Sequence, residues 1–216
     1  MKRITGSRSG LTLVEVMLAC ALLTVALGSL TLLGTRSADA LGTAGIQGEL
    51  DARLRRTMAR IGDELLSSGL GVVTPAATKP AGSDTLTYRK SEGAVNGAIH
   101  WGATQRLEFE YEQGELDDGL DNNGNGLVDE GVVSWTVNAG QPGELPVILC
   151  HDVREYAAGE TPNNVDDNGN GLVDERGFSF ERIDGTTLRA RLTLERLDSR
   201  RRLLSRTLET TLQPRN

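Results

Sequence analysis

The chain of 216 residues predicts an α+β fold in which one long N-terminal helix lies on an antiparallel β-sheet. Three observations carry this. Residues 11–34 are apolar with a single charge, Glu15. Ile46, Leu50, Leu54, Met58, Ile61 and Leu65 then recur at steps of three and four, which places one apolar stripe on a helix. Beyond residue 85 the period falls to two, as in half-buried strands.

The first of these stretches is long enough to be an anchor. As a helix, 24 residues reach about 36 Å, against a hydrocarbon core of about 30 Å. Lys2, Arg3 and Arg8 precede it with no acid among them, which predicts a cytoplasmic N-terminus and an outward-facing remainder. Glu15 is out of place. A carboxylate in an apolar span costs about 2.5–3.5 kcal/mol on insertion scales and needs a partner. The next charge, Arg36, is more than about five helical turns away. A cut between Gly10 and Leu11 would put a new α-amino group close to Glu15, at the same membrane depth. Two plainer readings compete. Ala38-Asp39-Ala40 offers a secretory cleavage site, but a signal core runs about 7–15 residues and this stretch is longer. An uncleaved anchor with an accidental acid is the other.

The short basic leader, Gly10, Thr12 and an acid at the fifth position after the glycine resemble the type IV prepilin signature. Leu11 stands where that family usually has Phe, and Val14 where it often has Ile. The resemblance implies a leader at 1–10 removed by a prepilin peptidase, N-methylation at Leu11, and a transmembrane half-helix at 11–34. It also implies that Glu15 attracts the N-terminal amine of a neighbouring subunit during filament assembly.

Residues 35–70 are expected to continue as an amphipathic half-helix, with Glu49, Asp51, Arg53, Arg55, Arg56 and Arg60 opposite the apolar stripe. Gly42, Gly45 and Gly48 each weaken a helix by about 1 kcal/mol relative to Ala, so a bend or local melting is expected there. Ser67-Ser68-Gly69-Leu70-Gly71 ends the helix, and 75–83 reads as a linker. Within the expected β-rich domain at 71–216, candidate strands are 85–89, 98–101, 107–112, 132–137, 147–153, 178–183, 187–196 and 203–212. Leu107, Phe109 and Tyr111 alternate with Glu108, Glu110 and Glu112, and Leu188, Ala190, Leu192 and Leu194 alternate in the same way. Ile183-Asp184-Gly185-Thr186 predicts a hairpin turn and 198–202 a longer, charged one. Leu54-Arg55-Arg56 with Ala59-Arg60-Ile61 and Glu64-Leu65, Ser83-Asp84-Thr85-Leu86-Thr87-Tyr88 and the terminal Glu209-Thr210-Thr211-Leu212-Gln213-Pro214-Arg215-Asn216 resemble the minor branch of the same family. That branch comprises the J-type pseudopilins of type II secretion and the W-type minor pilins. Pro214 departs from the Leu usual there.

An internal repeat stands apart from these patterns. Asp121-Asn122-Asn123-Gly124-Asn125-Gly126-Leu127-Val128-Asp129-Glu130 recurs at 166–175 with one change, Asp167 for Asn122. The spacing sets oxygen-bearing side chains at loop positions 1, 3 and 5, a glycine at 6 and a usable carbonyl at 7, the first half of an EF-hand-type Ca²⁺ loop. The expected ligands are Asp121, Asn123, Asn125, Leu127 through its carbonyl, Asp129 and Glu130, and likewise Asp166, Asn168, Asn170, Leu172, Asp174 and Glu175. Val128 and Val173 fall at the apolar position 8. Position 12, a bidentate Glu in an EF-hand, is Val132 or Gly177, so position 9 or 10 has to close the shell. Asp117 and Asp118 add charge to the first loop, at 117–130, which is expected to bind more tightly than the second, at 163–175. Asn-Gly turns alone are the competing explanation, but they leave the repeated Asp-Glu ending unaccounted for.

Composition narrows the functions. Formal charge is −7, and removal of the leader leaves 20 basic against 30 acidic side chains, which argues against a nucleic-acid partner. Cys20 lies in the apolar span and Cys150 in Val147-Ile148-Leu149-Cys150, so the two should not pair; Cys150 reads as a small buried hydrophobe. His100 and His151 are isolated, and the motifs of serine hydrolases, zinc proteases and phosphate-binding loops are missing, so an enzyme is not expected. The expected protein is a single-pass inner-membrane subunit with a periplasmic domain. It pairs with other pilin or pseudopilin subunits and carries structural Ca²⁺. The alternative is an anchored calcium-binding adhesion domain that does not polymerise.

Overall fold

The computed structural model describes residues 12–214. Gly10 and Leu11, the expected processing site, lie outside them. The chain divides after Ala44 into two units. Helix α1, Leu13–Leu66, is followed by seven strands: β1 Thr85–Val95, β2 Ala98–Tyr111, β3 Gly131–Val137, β4 Leu145–Val153, β5 Phe178–Arg182, β6 Leu188–Leu197 and β7 Leu203–Leu212. The architecture is α+β with an antiparallel sheet, as the periodicity predicts.

In the first unit the large apolar side chains from Leu13 to Leu33 are exposed, and the helix is long and apolar enough to cross a membrane. Gly42, Gly45 and Gly48 are helical, so the local melting expected there does not occur.

In the second unit the stripe Leu50, Leu54, Met58, Ile61 and Leu65 is buried against Leu86, Tyr88, Leu107, Val133, Phe178, Phe180, Leu192 and Leu194. Cys150 joins this core as a free thiol. A polar network crosses the same interface. Glu64 is buried in the helix and pairs with Arg60 at 3.1 Å and with Lys90. The Tyr88 hydroxyl lies 3.1 Å from both Glu64 Oε2 and Gln105 Oε1, and Trp135 Nε1 donates to that hydroxyl at 3.0 Å. Arg60 lies over the Trp135 ring, 4.9 Å from its centroid.

The sheet is two antiparallel meanders. Strands β1 to β4 pair in sequence, and β6 carries β7 along its whole length and β5 along Leu188–Leu192. Between β4 and β6 there is one pairing, Val153 with Leu194. Candidate strands 98–101 and 107–112 turn out to be one strand, β2. The sequence contains the reason: Asn96-Gly97, with φ of 53° and 81°, makes a two-residue hairpin from Val95 to Ala98, and β1 then pairs with β2 from that turn to Glu108 through two register irregularities. The Asp198 carboxylate accepts the Arg200 and Arg202 amides and pairs with the Arg202 guanidinium, closing the β6–β7 turn.

Candidate functional site: two acidic loops and the helix start

Both copies of the repeat connect strands, the first β2 to β3 and the second β4 to β5. No helix flanks either, consistent with the sequence reading. Leu127 and Leu172 are the buried pegs of the two loops, at 5% and 1% exposure, whereas Val128 is exposed. The apolar peg therefore sits one position earlier than an EF-hand register implies.

The interiors of the loops share most of their hydrogen bonds. The Asp121 carboxylate accepts the amides of Gly124 at 2.7 Å and Gly126 at 2.8 Å, and Asp166 accepts those of Gly169 and Gly171 at 2.7 Å each. Asn123 and Asn125 each take the amide two residues on through Oδ1, as do Asn168 and Asn170. Their Nδ2 groups converge on one carboxylate oxygen: Asn123 at 2.7 Å and Asn125 at 2.6 Å on Glu130 Oε1, Asn168 at 3.0 Å and Asn170 on Glu175 Oε1. Each Asn Oδ1 keeps a second lone pair for a cation. Gly126 and Gly171 hold φ of +93° and +90°, and a Cβ there would meet the Leu197 side chain and Lys79 respectively, so only glycine fits.

The sequence set is only partly brought together. Asp121, Asn123, Asn125 and Glu130 share the loop interior. Asp129 turns away and accepts the amides of Asp118 and Gly119, as Asp174 does for Asn163 and Asn164. Sequence reasoning also missed two carboxylates: Glu115 accepts the Asn123 amide at 2.7 Å, and Glu160 accepts that of Asn168 at 2.9 Å. Both are buried. The signal was present, because Tyr111, Gly114 and Glu115 recur as Tyr156, Gly159 and Glu160 at the same spacing of 45 as the motif.

Asp117, Asp129 and Glu155 place carboxylate oxygens within 4.8 Å of one another, a geometry that suits a metal. Arg176 meets part of their charge. Arg176 Nη1 lies 2.5 Å from Glu155 and Nη2 lies 3.9 Å from Asp117, with the guanidinium over the rings of Phe109, Tyr111 and Tyr156. Burial pushes the Glu155 carboxyl up, against the opposing pull of Tyr111 and Arg176.

Beside these groups a cleft of about 500 Å³ is lined by residues of both loops and by Glu195. Burial raises Glu195 to about 7, with Glu130 and Asp152 adding to the rise and Arg154, 3.9 Å away, opposing it. The fold thus holds a proton on Glu195 that the unfolded chain releases near pH 4.5. Stability from this group is complete below that pH and is lost as pH rises toward 7. Glu195→Gln should therefore raise stability by roughly 2 kcal/mol at pH 8 and change little at pH 4. Melting temperatures of both proteins in EDTA at the two pH values check this; an equal shift at both would contradict it.

At the start of α1, the Glu15 carboxylate accepts the Thr12 amide at 2.8 Å and its hydroxyl at 2.9 Å, while the Glu15 amide donates to Thr12 Oγ1 at 3.3 Å. Thr12-Leu13-Val14-Glu15 is thus a capping box, each residue satisfying an otherwise orphan amide of the other. The sequence reading looked for a partner of opposite charge and overlooked the threonine three residues back. No protein-family model, curated protein or solved structure matches the chain.

Proposed function

We propose that this chain is a minor pilin or pseudopilin. It is inserted in the inner membrane, cleaved after Gly10, and built into the tip or initiating complex of a type II secretion or type IV pilus filament. The observation that carries the reading is the lone acid, Glu15, five residues after Gly10 in a 24-residue apolar run behind a basic leader. A long apolar helix continuing onto an antiparallel sheet is compatible with it. In this reading the helices of neighbouring subunits pack through residues 11–34, and Glu15 meets the amine of an adjacent Leu11.

The two loops add structural calcium. Affinities of extracellular modules are on the order of 10⁻⁴–10⁻³ M, and at tenfold excess over Kd such a site contributes about 1.4 kcal/mol. That stabilises two long connections that lack secondary structure of their own.

One observation favours the second reading, an anchored domain that does not polymerise. Thr12 gives Glu15 a partner within its own chain, so the acid has a role without a neighbour. Two substitutions separate the readings. Gln can serve in a capping box but carries no charge. For a filament subunit, Glu15→Gln and Glu15→Ala should both lose incorporation into sheared filaments by at least about tenfold, since a neutral amide attracts an amine weakly. Mass spectrometry should show N-methyl-Leu11 as the first residue. An intact Met1, or normal incorporation of both variants, would move the protein to the second reading.

A further inference from the structure

The two loops are near copies in sequence but not in charge. At the second loop, Arg191, itself buried, places Nη1 3.0 Å from Glu175 Oε1. Lys79 Nζ donates to the Asn170 carbonyl at 2.8 Å and sits 3.3 Å from Glu181. Glu160 spends both oxygens, on the amides of Asn168 and Asp174. The first loop differs in its carboxylates, although a cation, Arg201, also stands near its Gly126. The hydrogen bonds to the Glu130 side chain come from the Asn123 and Asn125 amides, and Glu130 is fully buried. Its Oε2 has no partner, as Glu175 Oε2 has none in the second loop, but Oε2 of Glu115, which is 6% exposed, also lacks one, whereas that of Glu160 is taken by the Asp174 amide. Both carboxylates gather on Asn123, one through its backbone amide and one through its side chain.

Buried carboxylate oxygens without donors are costly and rare in folded proteins. Two such oxygens in one loop, on carboxylates that both bond to Asn123, are hard ligands suited to a divalent cation. In the second loop a guanidinium and an ammonium already supply positive charge. An added cation there meets electrostatic opposition within a few ångströms.

We infer that the first loop is the calcium site of this protein, closed by Glu130 and Glu115, and that the second loop is held by Arg191 and Lys79 in place of an ion. The inference rests on the calcium reading above and narrows it from two sites to one. Binding at the first loop then stiffens the β2–β3 connection alone, while the β4–β5 connection is set independently of calcium.

The test is calcium uptake by the full-length protein in detergent micelles, followed by titration calorimetry and equilibrium dialysis with ⁴⁵Ca²⁺. One ion per chain is expected. Glu130→Gln should reduce affinity at least tenfold, and Glu115→Gln several-fold. Glu175→Gln should leave it within a factor of two. Asp121→Asn lies at an exposed position and gives the same readout should Glu130→Gln fail to fold; its counterpart Asp166→Asn should have no effect. Two ions of similar affinity, or a single ion lost in Glu175→Gln or Asp166→Asn and kept in Glu130→Gln or Asp121→Asn, would overturn the asymmetry while leaving the calcium reading in place. No uptake, with no change in melting temperature between Ca²⁺ and EDTA, would overturn both.

Discussion

Arg191→Met is expected to destabilise the domain by about 3–5 kcal/mol, the loss typical when one member of a buried ion pair is removed. Arg191 joins Glu175 at 3.0 Å to Glu209 at 2.7 Å, and it is 5% exposed. Glu209 is half-exposed and can be hydrated once the arginine is gone. Glu175 cannot: its side chain is 1% exposed, and its other donors are two neutral asparagine amides. The cost therefore comes from stranding Glu175 and not from lost attraction alone. At roughly 2–4 °C per kcal/mol for a domain of this size, the melting temperature should fall by about 10 °C. Arg191→Met with Glu175→Gln should recover at least half of the loss, because no charge is then left buried. A double variant as unstable as the single one would show that Arg191 acts by packing.

Glu64→Ala is the second large effect expected, about 3 kcal/mol. It removes the acceptor shared by Tyr88, Arg60 and Lys90, leaves the buried hydroxyl only Gln105 as an acceptor, and opens a gap at the helix–sheet interface. Tyr88→Phe takes only the hydroxyl and should cost about 1–2 kcal/mol. Denaturant unfolding monitored by tryptophan fluorescence suits both variants, since the Trp135 ring belongs to the network. If Glu64→Ala costs no more than Tyr88→Phe, Glu64 does not organise the interface.

The helix and its buried stripe were legible because burial against a sheet imposes a period of three to four, and no residue from 46 to 65 breaks it. The long hairpin was not, although Asn96-Gly97 names its turn: Ser91, Glu92 and Gly93 are polar or small, so alternation fades where β1 and β2 leave the core. In the loops, residue identity located the repeat but left open whether position 9 or position 10 closes it. An Asp at loop position 9 is a ligand by EF-hand spacing, yet here its φ of 51° or 49° directs the carboxylate onto the amides that open the loop. Backbone sign of this kind is invisible in composition. Glu115 and Glu160 escaped notice for a simpler reason: they lie outside the contiguous identity, and the sparse recurrence of Tyr111, Gly114 and Glu115 at 156, 159 and 160 is easily passed over.

The single pairing of Val153 with Leu194 gives the two halves of the sheet very little shared backbone. Backbone bonds between Ser83 and Phe180 also tie the halves, and side chains brace the seam: Arg176 caged between Glu155 and three rings, Arg53 reaching Asp152 at 2.7 Å, and Arg196 reaching Glu49 at 2.7 Å. Strained backbone ladders part cooperatively, whereas exposed or half-exposed side chains re-sample their rotamers within picoseconds to nanoseconds. Under load the domain would behave as a joint that slips and re-engages, yielding a little and then mending without unfolding.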